Sequence, residues 1–527
     1  MITVCVDGTR FAARFAAEVW ENNLAGIRSH YSLAMRVEAP FLGRNTMSLI
    51  QGKLPLRIKL IHGFGAVAFG VKDTGFSFFL LFFYSQVLGM DAALVSVALL
   101  VALLVDAVVD PIIGNLSDRT YSRWGRRLPW LYAAPIPLAF AWVFLWSPPG
   151  GEAPTFLGLL GICVTVRLLL SACEVPSISL LPEITSDYVE RTTLFRFRYL
   201  SGWLGGILMM VIAYGFLFTG DGGLLEQDGY ITFGIIGAIL MVISVMGSAL
   251  GQHSLVAHLP ATKPPPFSLK GCFAEIREAF SERAFLFFAA GGLAAYISQG
   301  LNFSLSNYLN TYVWRLDATK IPGLSESVTG LSLYPLILFL SVLLMFNIVG
   351  PMHDRFGKPK SAAIGAIGST VFTFIPYMAL LIGFWPELGS LNSLILVFAF
   401  LTIGNALGVV VMVSASSMIA EIVEAYLERT GMRAEGAFYS GNWLVQKCAT
   451  GLGIFLSGQF LAFSALTSDV TPENAAPAVI DSLIVLYVAT TVVLMMIAAY
   501  WLGRFPISRE DHEARIVSLG QQQGLIK

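Results

Sequence analysis

Charge is scarce in this sequence. Only 13% of the 527 residues are Asp, Glu, Lys or Arg, and 33 basic against 34 acidic side chains leave a formal net charge of −1. No basic face exists to neutralise phosphates, which argues against nucleic acid as a partner. Thiol and metal chemistry are equally thin. The five cysteines, Cys5, Cys163, Cys173, Cys272 and Cys448, are odd in number and lack CxxC spacing, so neither a disulfide framework nor a zinc site is indicated. The six histidines (His30, His62, His253, His258, His353 and His512) stand apart, mostly in loops, and no HExxH occurs. A membrane enzyme would need a nucleophile–base pair or a metal cluster at depth, so an enzyme is not expected, nor a resident cofactor. A secretory signal peptide is missing as well, because charges recur every few residues from Met1 to Arg57 and break any apolar core.

Long apolar runs take the place of charge. Hydrophobic residues make up 56% of the chain, and the mean hydropathy is +0.71. Blocks of this kind specify a polytopic membrane protein. Runs of about 20 residues, enough to cross the hydrocarbon, number twelve. They fall near 59–88, 91–117, 128–147, 154–182, 197–219, 230–250, 285–313, 330–350, 361–384, 391–419, 436–463 and 478–503. The fold class expected is therefore an all-α membrane protein of twelve transmembrane helices in two six-helix halves. The halves are 58–250 and 284–504, joined by a linker, 251–283, that holds Pro260, Pro264, Pro265 and Pro266. A cytoplasmic extension, 1–57, precedes them and a tail, 505–527, follows. In the extension Phe11, Phe15 and Val19 lie at helical spacing against Arg10, Arg14 and Glu18, a pattern for a short surface helix. The alternative is a start at Met47, with residues 1–46 untranslated.

Basic residues gather in alternate loops. Lys53, Arg57 and Lys59, then Arg119, Arg123, Arg126 and Arg127, then Lys263 and Lys270, then Arg355, Lys358 and Lys360, and finally Arg504 and Arg509 all fall on one side, whereas the other side offers little beyond Arg315 and Lys320. The positive-inside rule puts both termini and the linker in the cytoplasm. A weak repeat joins the halves. Asp118-Arg119 with Arg123-Trp124-Gly125-Arg126-Arg127 follows the second span, and Asp354-Arg355-Phe356-Gly357-Lys358 follows the eighth. Positive-inside loops alone would explain the basic residues but not the recurring order. Parallel halves with such turns resemble the major facilitator superfamily, whose halves rock about a midplane site.

Charges at span depth are expensive, about 2.5–3.5 kcal/mol each on insertion scales, and mark function by default. Asp106 and Asp110, four residues apart, share one face of the second span. Two carboxylates on one stripe of a membrane helix read as a cation site. Lys72-Asp73 stands in the first span; neighbours about 100° apart on a helix need not pair with each other. Arg167, Ser171 and Glu174 share a face of the fourth span, with Arg167 either functional or a counter-ion for Glu174. Arg198 starts the fifth span and Lys447 lies in the eleventh, one turn from Trp443 and Gly451. Summing Asp73, Asp106, Asp110 and Glu174 against Lys72, Arg198 and Lys447 leaves room for one more positive charge, which a symported Na+ or proton would supply. Seven unpaired charges would cost roughly 20 kcal/mol, so they are expected to converge.

Several of these residues together resemble the glycoside–pentoside–hexuronide:cation symporters, the melibiose-permease-like family of that superfamily. The resemblance runs from about Met47 to Arg504. It rests on Lys72-Asp73, on Asp106-x-x-x-Asp110-Pro111 with Asp118-Arg119-x-x-x-Arg123-Trp124-Gly125-Arg126, and on Glu174-Val175-Pro176. Glu190-Arg191-Thr192 before Arg198, Gly431-x-Arg433-x-Glu435-Gly436 and Lys447 complete it. It implies a secondary active transporter of the inner membrane that symports a sugar with H+ or Na+ by alternating access, as a monomer in the bilayer. Asp106, Asp110, Ser171 and Lys447 would serve the cation, and Lys72, Asp73, Glu174, Arg198 and Trp443 the solute. Asp118, Arg119, Arg123, Gly125, Arg126, Asp354 and Arg355 would form the cytoplasmic turns that gate. Trp443, Tyr199 and Trp203 are the aromatic faces available to stack on a pyranose.

Two departures from the family pattern bear on specificity. Val109 stands where sodium-coupled relatives carry an Asn, which removes an oxygen ligand and leans toward a proton. Ile178 stands where a sugar-stacking Trp would fall. The competing expectation is a lysophospholipid or other amphiphile carrier of the same superfamily, against which Lys72-Asp73 argues.

Overall fold

The computed structural model describes residues 52–507, apart from 186, 220–221, 258–276, 324–327 and 432–433. The expected surface helix at 10–19, the alternative start at Met47, most of the linker, Arg433 and most of the tail lie outside the described residues.

The architecture is all-helical; among the described residues β-pairing is confined to one isolated bridge between Lys320 and Thr329. Nine stretches among them are long and apolar enough to cross a membrane: α1 (Leu56–Val87), α2 (Ala92–Asp118), α4 (Phe156–Ile184), α5 (Glu190–Leu217), α6 (Gln227–Val256), α7 (Arg283–Val313), Leu331–Leu381, α10 (Leu391–Thr430) and α12 (Pro477–Gly503). The long stretch turns on itself at Gly357, whose φ of 76° is left-handed, and so contains two rods, α8 (334–356) and α9 (358–381). The third span is split into Leu128–Ala133 and Pro135–Trp146, together α3, and α11 (Glu435–Phe463) is a full-length but more polar helix. The arrangement is consistent with the twelve helices expected.

Local chemistry sets the helix ends. Asp91 caps α2 by accepting from the Leu94 amide at 3.0 Å, Thr155 caps α4 from Gly158 at 3.2 Å, and Ser390 caps α10 from Ser393 at 3.2 Å. Gly431, at φ 69°, closes α10.

Within a bilayer helices associate through close packing of small residues rather than through a hydrophobic drive. Such a seam joins α1 to α5. A Cβ on Gly70 would stand 1.9 Å from the Gly202 carbonyl oxygen, and one on Gly63 would stand 2.9 Å from that of Phe197. The second half repeats the device between α7 and α11, where a Cβ on Gly453 would meet the Ile297 carbonyl at 2.3 Å and one on Gly300 the Thr450 carbonyl at 2.5 Å.

The halves touch along α2 and α11. Gly458 of α11 lies against Ala92 and Ser96 at the start of α2, and Gly451 lies against Leu100 and Leu103 one to two turns further on. These contacts belong to the end of the bundle opposite the arginine-bearing turns. That same end carries an aromatic core in the first half, built from Phe79, Phe83, Trp146, Tyr230 and Phe233.

Candidate functional site

Asp106 and Asp110 occupy one face of α2, as their spacing predicts, and both meet Ser171 of α4. The Ser171 Oγ lies 2.6 Å from Asp106 Oδ1 and 2.7 Å from Asp110 Oδ1. A hydroxyl has one proton to donate, so it cannot serve two ionised carboxylates with two full hydrogen bonds. Lys447 reaches across from α11. Its Nζ is 2.8 Å from Asp106 Oδ2 and is also paired with Asp110. A tethered ammonium therefore sits between two carboxylates on the opposite half of the molecule.

Arg167 corrects the sequence reading. Its Nη1 stands 3.6 Å from Asp106 Oδ2, and its guanidinium lies 4.0 Å above the Phe76 ring, so it serves Asp106 rather than Glu174. The sharing of a face with Glu174 was real but did not decide the partner, because α2 packs on the side of α4 that Arg167 presents. The charge sum changes with it. Asp73, Asp106, Asp110 and Glu174 are matched by Lys72, Arg167, Arg198 and Lys447, and the cluster is neutral without an added cation.

Lys72 and Asp73 do pair, although their angular separation did not require it. The four-carbon stem lets the buried Lys72 Nζ reach Asp73 at 2.9 Å and Glu174 at 3.2 Å. Arg198 is buried, donates from Nη1 to Ser177 Oγ at 2.7 Å, and lies 4.9 Å over Phe69, while its Nη2 has no hydrogen-bond partner. Tyr199, 62% exposed, is an electrostatic neighbour of Glu174 and Arg198. Trp203 is exposed and Trp443 half-buried.

One contributor has no side-chain signature. Pro111 lacks an N–H, so the Ala107 carbonyl one turn earlier loses its helical donor. That leaves a backbone oxygen on α2, one residue after Asp106, without its usual helical partner.

At the arginine-bearing turn after α2, Asp118 is paired with Arg127. Arg127 also donates to Ser117 Oγ at 2.8 Å and lies 3.6 Å from Glu183 at the end of α4. Arg119 donates to the Asn115 carbonyl at 3.4 Å, Arg123 covers the Trp124 ring at 5.3 Å, Gly125 turns the chain at φ 88°, and Arg126 is exposed. At the end of α8, Arg355 covers Phe356 at 5.3 Å, next to Asp354, and Lys358 at the start of α9 pairs with Glu421 of α10 at 2.7 Å. The repeat thus extends to an acid on the fourth helix of each half, Glu183 and Glu421, which the sequence motif did not include.

Residues 61–509 match the family model for MFS/sugar transport proteins. The chain belongs to that family. It is a multi-pass membrane transporter rather than an enzyme, and the likeness to glycoside–pentoside–hexuronide symporters holds. An uncharacterized symporter of Synechocystis is 27% identical over 89% of this chain and 97% of its own length. The isoprimeverose transporter of Lactiplantibacillus pentosus is 33% identical over 32% of this chain and 35% of its own. The sphingosine-1-phosphate transporter MFSD2B of Xenopus tropicalis is 22% identical over 89% and 91%.

Proposed function

We propose that this transporter symports a sugar or glycoside with a cation across the cytoplasmic membrane, as a monomer with both termini inside, and that the cation is a proton. The observation that carries the reading is the group formed by Asp106, Asp110, Ser171 and Lys447. In a neutral cluster a coupling cation gains its place by displacing Lys447 from one carboxylate. Ser171 between two carboxylate oxygens favours a proton, since a protonated Asp110 would donate to Ser171 Oγ while Ser171 donates to Asp106. A proton also needs none of the neutral oxygens that Val109 fails to supply.

The solute wall is Lys72, Asp73, Glu174 and Arg198. Carboxylates accept from vicinal hydroxyls and a guanidinium donates in a planar fork, so the unpartnered Arg198 Nη2 is a ready donor to a sugar oxygen. Lys72 interacts electrostatically with Arg167 and Asp106, and Glu174 with Lys447 and Asp106, so the two sites share one charge network, which makes their affinities reciprocal. One cation moving down about 100 mV releases roughly 2.3 kcal/mol, enough for about a fifty-fold gradient of neutral solute. The contacts between halves at the end opposite the basic turns support an inward-facing state, with the outside closed.

Uptake into vesicles across a panel of labelled sugars, under an imposed proton or Na+ gradient, tests this. Accumulation driven by the proton gradient is expected; no accumulation of any glycoside, pentose or uronate under either gradient would overturn the symporter reading. The MFSD2B relative keeps an amphiphile carrier as the second reading. Asp73→Ala separates them, since it should abolish sugar uptake yet leave transfer of a labelled lysophospholipid nearly unchanged.

A further inference from the structure

Among the described residues four helical segments run as π turns: Gly75–Phe79 and Phe83–Val87 in α1, Ala213–Leu217 in α5 and Leu309–Val313 in α7. All lie toward the end of the bundle opposite the arginine-bearing turns. A π turn bonds five residues back instead of four, is wider than an α turn, and is concentrated at functional positions. Here each contains a residue hydrogen-bonded between the two halves. Asn307 of α7, fully buried, donates from Nδ2 to the Phe78 carbonyl at 2.8 Å and accepts the Tyr214 hydroxyl at 2.6 Å. The Tyr214 carbonyl accepts from Ser332 Oγ at 2.9 Å, just before α8. Further out, Ser85 meets the Tyr308 hydroxyl, and the Tyr312 hydroxyl lies 2.9 Å from both Gln86 Oε1 and the Val470 carbonyl.

The chemistry of Asn307 is particular. A carboxamide is donor and acceptor at once, and it uses one function on α1 and the other on α5. Two π-turn carbonyls, Phe78 and Tyr214, take a side-chain donor on a lone pair that helix bonding leaves free. A contact of neutral groups carries no fixed charge to desolvate. When this end opens, water replaces each bond, so each contributes little net free energy and can be broken repeatedly.

We propose that Asn307, with Tyr214 and the π turns of α1, α5 and α7, is a latch that closes the outer end of the bundle and is undone once in each transport cycle. The proposal rests on the alternating-access reading above. While the latch is made, α1 and α5 of the first half are held to α7 of the second, and solute reaches the charged wall from the inner end alone. Neither the coupling cation nor the solute touches it, so it sets how often the outer end opens without setting what is bound.

The test is a distance measurement between spin labels at Asp228→Cys and Ala318→Cys, exposed positions near the outer ends of the two halves, with the native cysteines replaced and the full chain in nanodiscs. Asn307→Ala should raise the ratio of outer-open to outer-closed protein about tenfold. Tyr214→Phe, which keeps the ring packing and removes one bond, should raise it about threefold. Sugar binding measured with the outer end open should be unchanged in both. Distance distributions in both variants that match the parent would overturn the latch. If the parent itself shows one distance under every pH and sugar tried, alternating access is what fails.

Discussion

The two six-helix halves share a plan and divide the labour. Each has a glycine seam between its first and fifth helices, α1 with α5 and α7 with α11, and each ties its second helix to its fourth through a basic residue, Arg127 to Glu183 and Lys358 to Glu421. Between those fixed points they diverge. Setting Asp354 opposite Asp118 puts Val342 and Phe346 where the first half has Asp106 and Asp110. Setting Glu421 opposite Glu183 puts Asn405, Val409 and Met412 where it has Arg167, Ser171 and Glu174. The second half is thus uncharged where the first is ionic, and it contributes Lys447 across the interface. Placing the ionic network on one half would, under the proposed alternating access, make its occupancy a property of how the halves meet, because parting them would move Lys447 away from Asp106 and Asp110. The outer connections differ as well. In the first half α1 passes to α2 within a few residues, capped by Asp91. In the second, a longer segment after α7 holds Asp317, whose carboxyl is pushed up to about 6, chiefly by burial, with Arg315 opposing and Glu473 assisting the shift.

The contrast breaks most sharply at Asp106. Asp106→Asn strands Arg167 and leaves Lys447 with Asp110 alone, and removing one partner of a buried pair costs about 3–5 kcal/mol. Gradient-driven uptake should fall by more than about a hundredfold, with a clear loss of thermal stability. The mirror change, Val342→Asp, places an unpaired carboxylate in an apolar neighbourhood and should cost about 2.5–3.5 kcal/mol, read as a lowered melting temperature. If it is tolerated without loss, the equivalent position of the second half is wet and the division of labour is weaker than stated. Arg167→Met is milder. It leaves the cluster one negative charge in excess, so the half-saturating concentration of coupling cation in uptake assays should drop about tenfold; an unchanged value would mean that Arg167 does not balance the network.

The smallest effect concerns the outer segment. Asp317 has a folded value above its ordinary 3.8, so folding favours its protonated form. Its contribution to stability is complete below about pH 4 and is lost as the pH rises through about 6. Protection of amides 314–323, after correction for the intrinsic rise of exchange with pH, should fall across that window, and Asp317→Asn should flatten the corrected dependence. A profile unaltered by the substitution would assign the pH sensitivity elsewhere.

Much of this was legible in the chain, and the reason is energetic. A charge at membrane depth is too costly to occur casually, so Asp106, Asp110, Lys72, Glu174, Arg198 and Lys447 announce themselves, and long apolar runs separate the spans. Pairing was not legible to the same degree. Arg167 could face Asp106 or Glu174 depending on the rotation of α4 against α2, which no spacing on one helix encodes. Lys72 and Asp73 met because a flexible lysine stem overrides the direction of its Cα–Cβ bond. The bonds of Asn307, Tyr214, Ser332 and Tyr308 were invisible for the opposite reason. Neutral polar residues are common in spans and cheap to place, and the π turns that present their partners have no sequence period. The Ala107 carbonyl was hidden in plain view, since Pro111 marks it but side-chain patterns do not.

The seam between α1 and α5 bears on the thermodynamics of recognition. Gly70, two residues before Lys72, touches Gly202, four residues after Arg198 on α5, so the backbones that carry the cation–carboxylate pair and the guanidinium are fixed relative to each other before any solute arrives. A solute docking on that wall meets groups already in place and forfeits little affinity to ordering them. Its binding heat should therefore report direct polar contacts, and a side chain introduced at Gly70 should weaken binding through entropy while every contacting residue remains present.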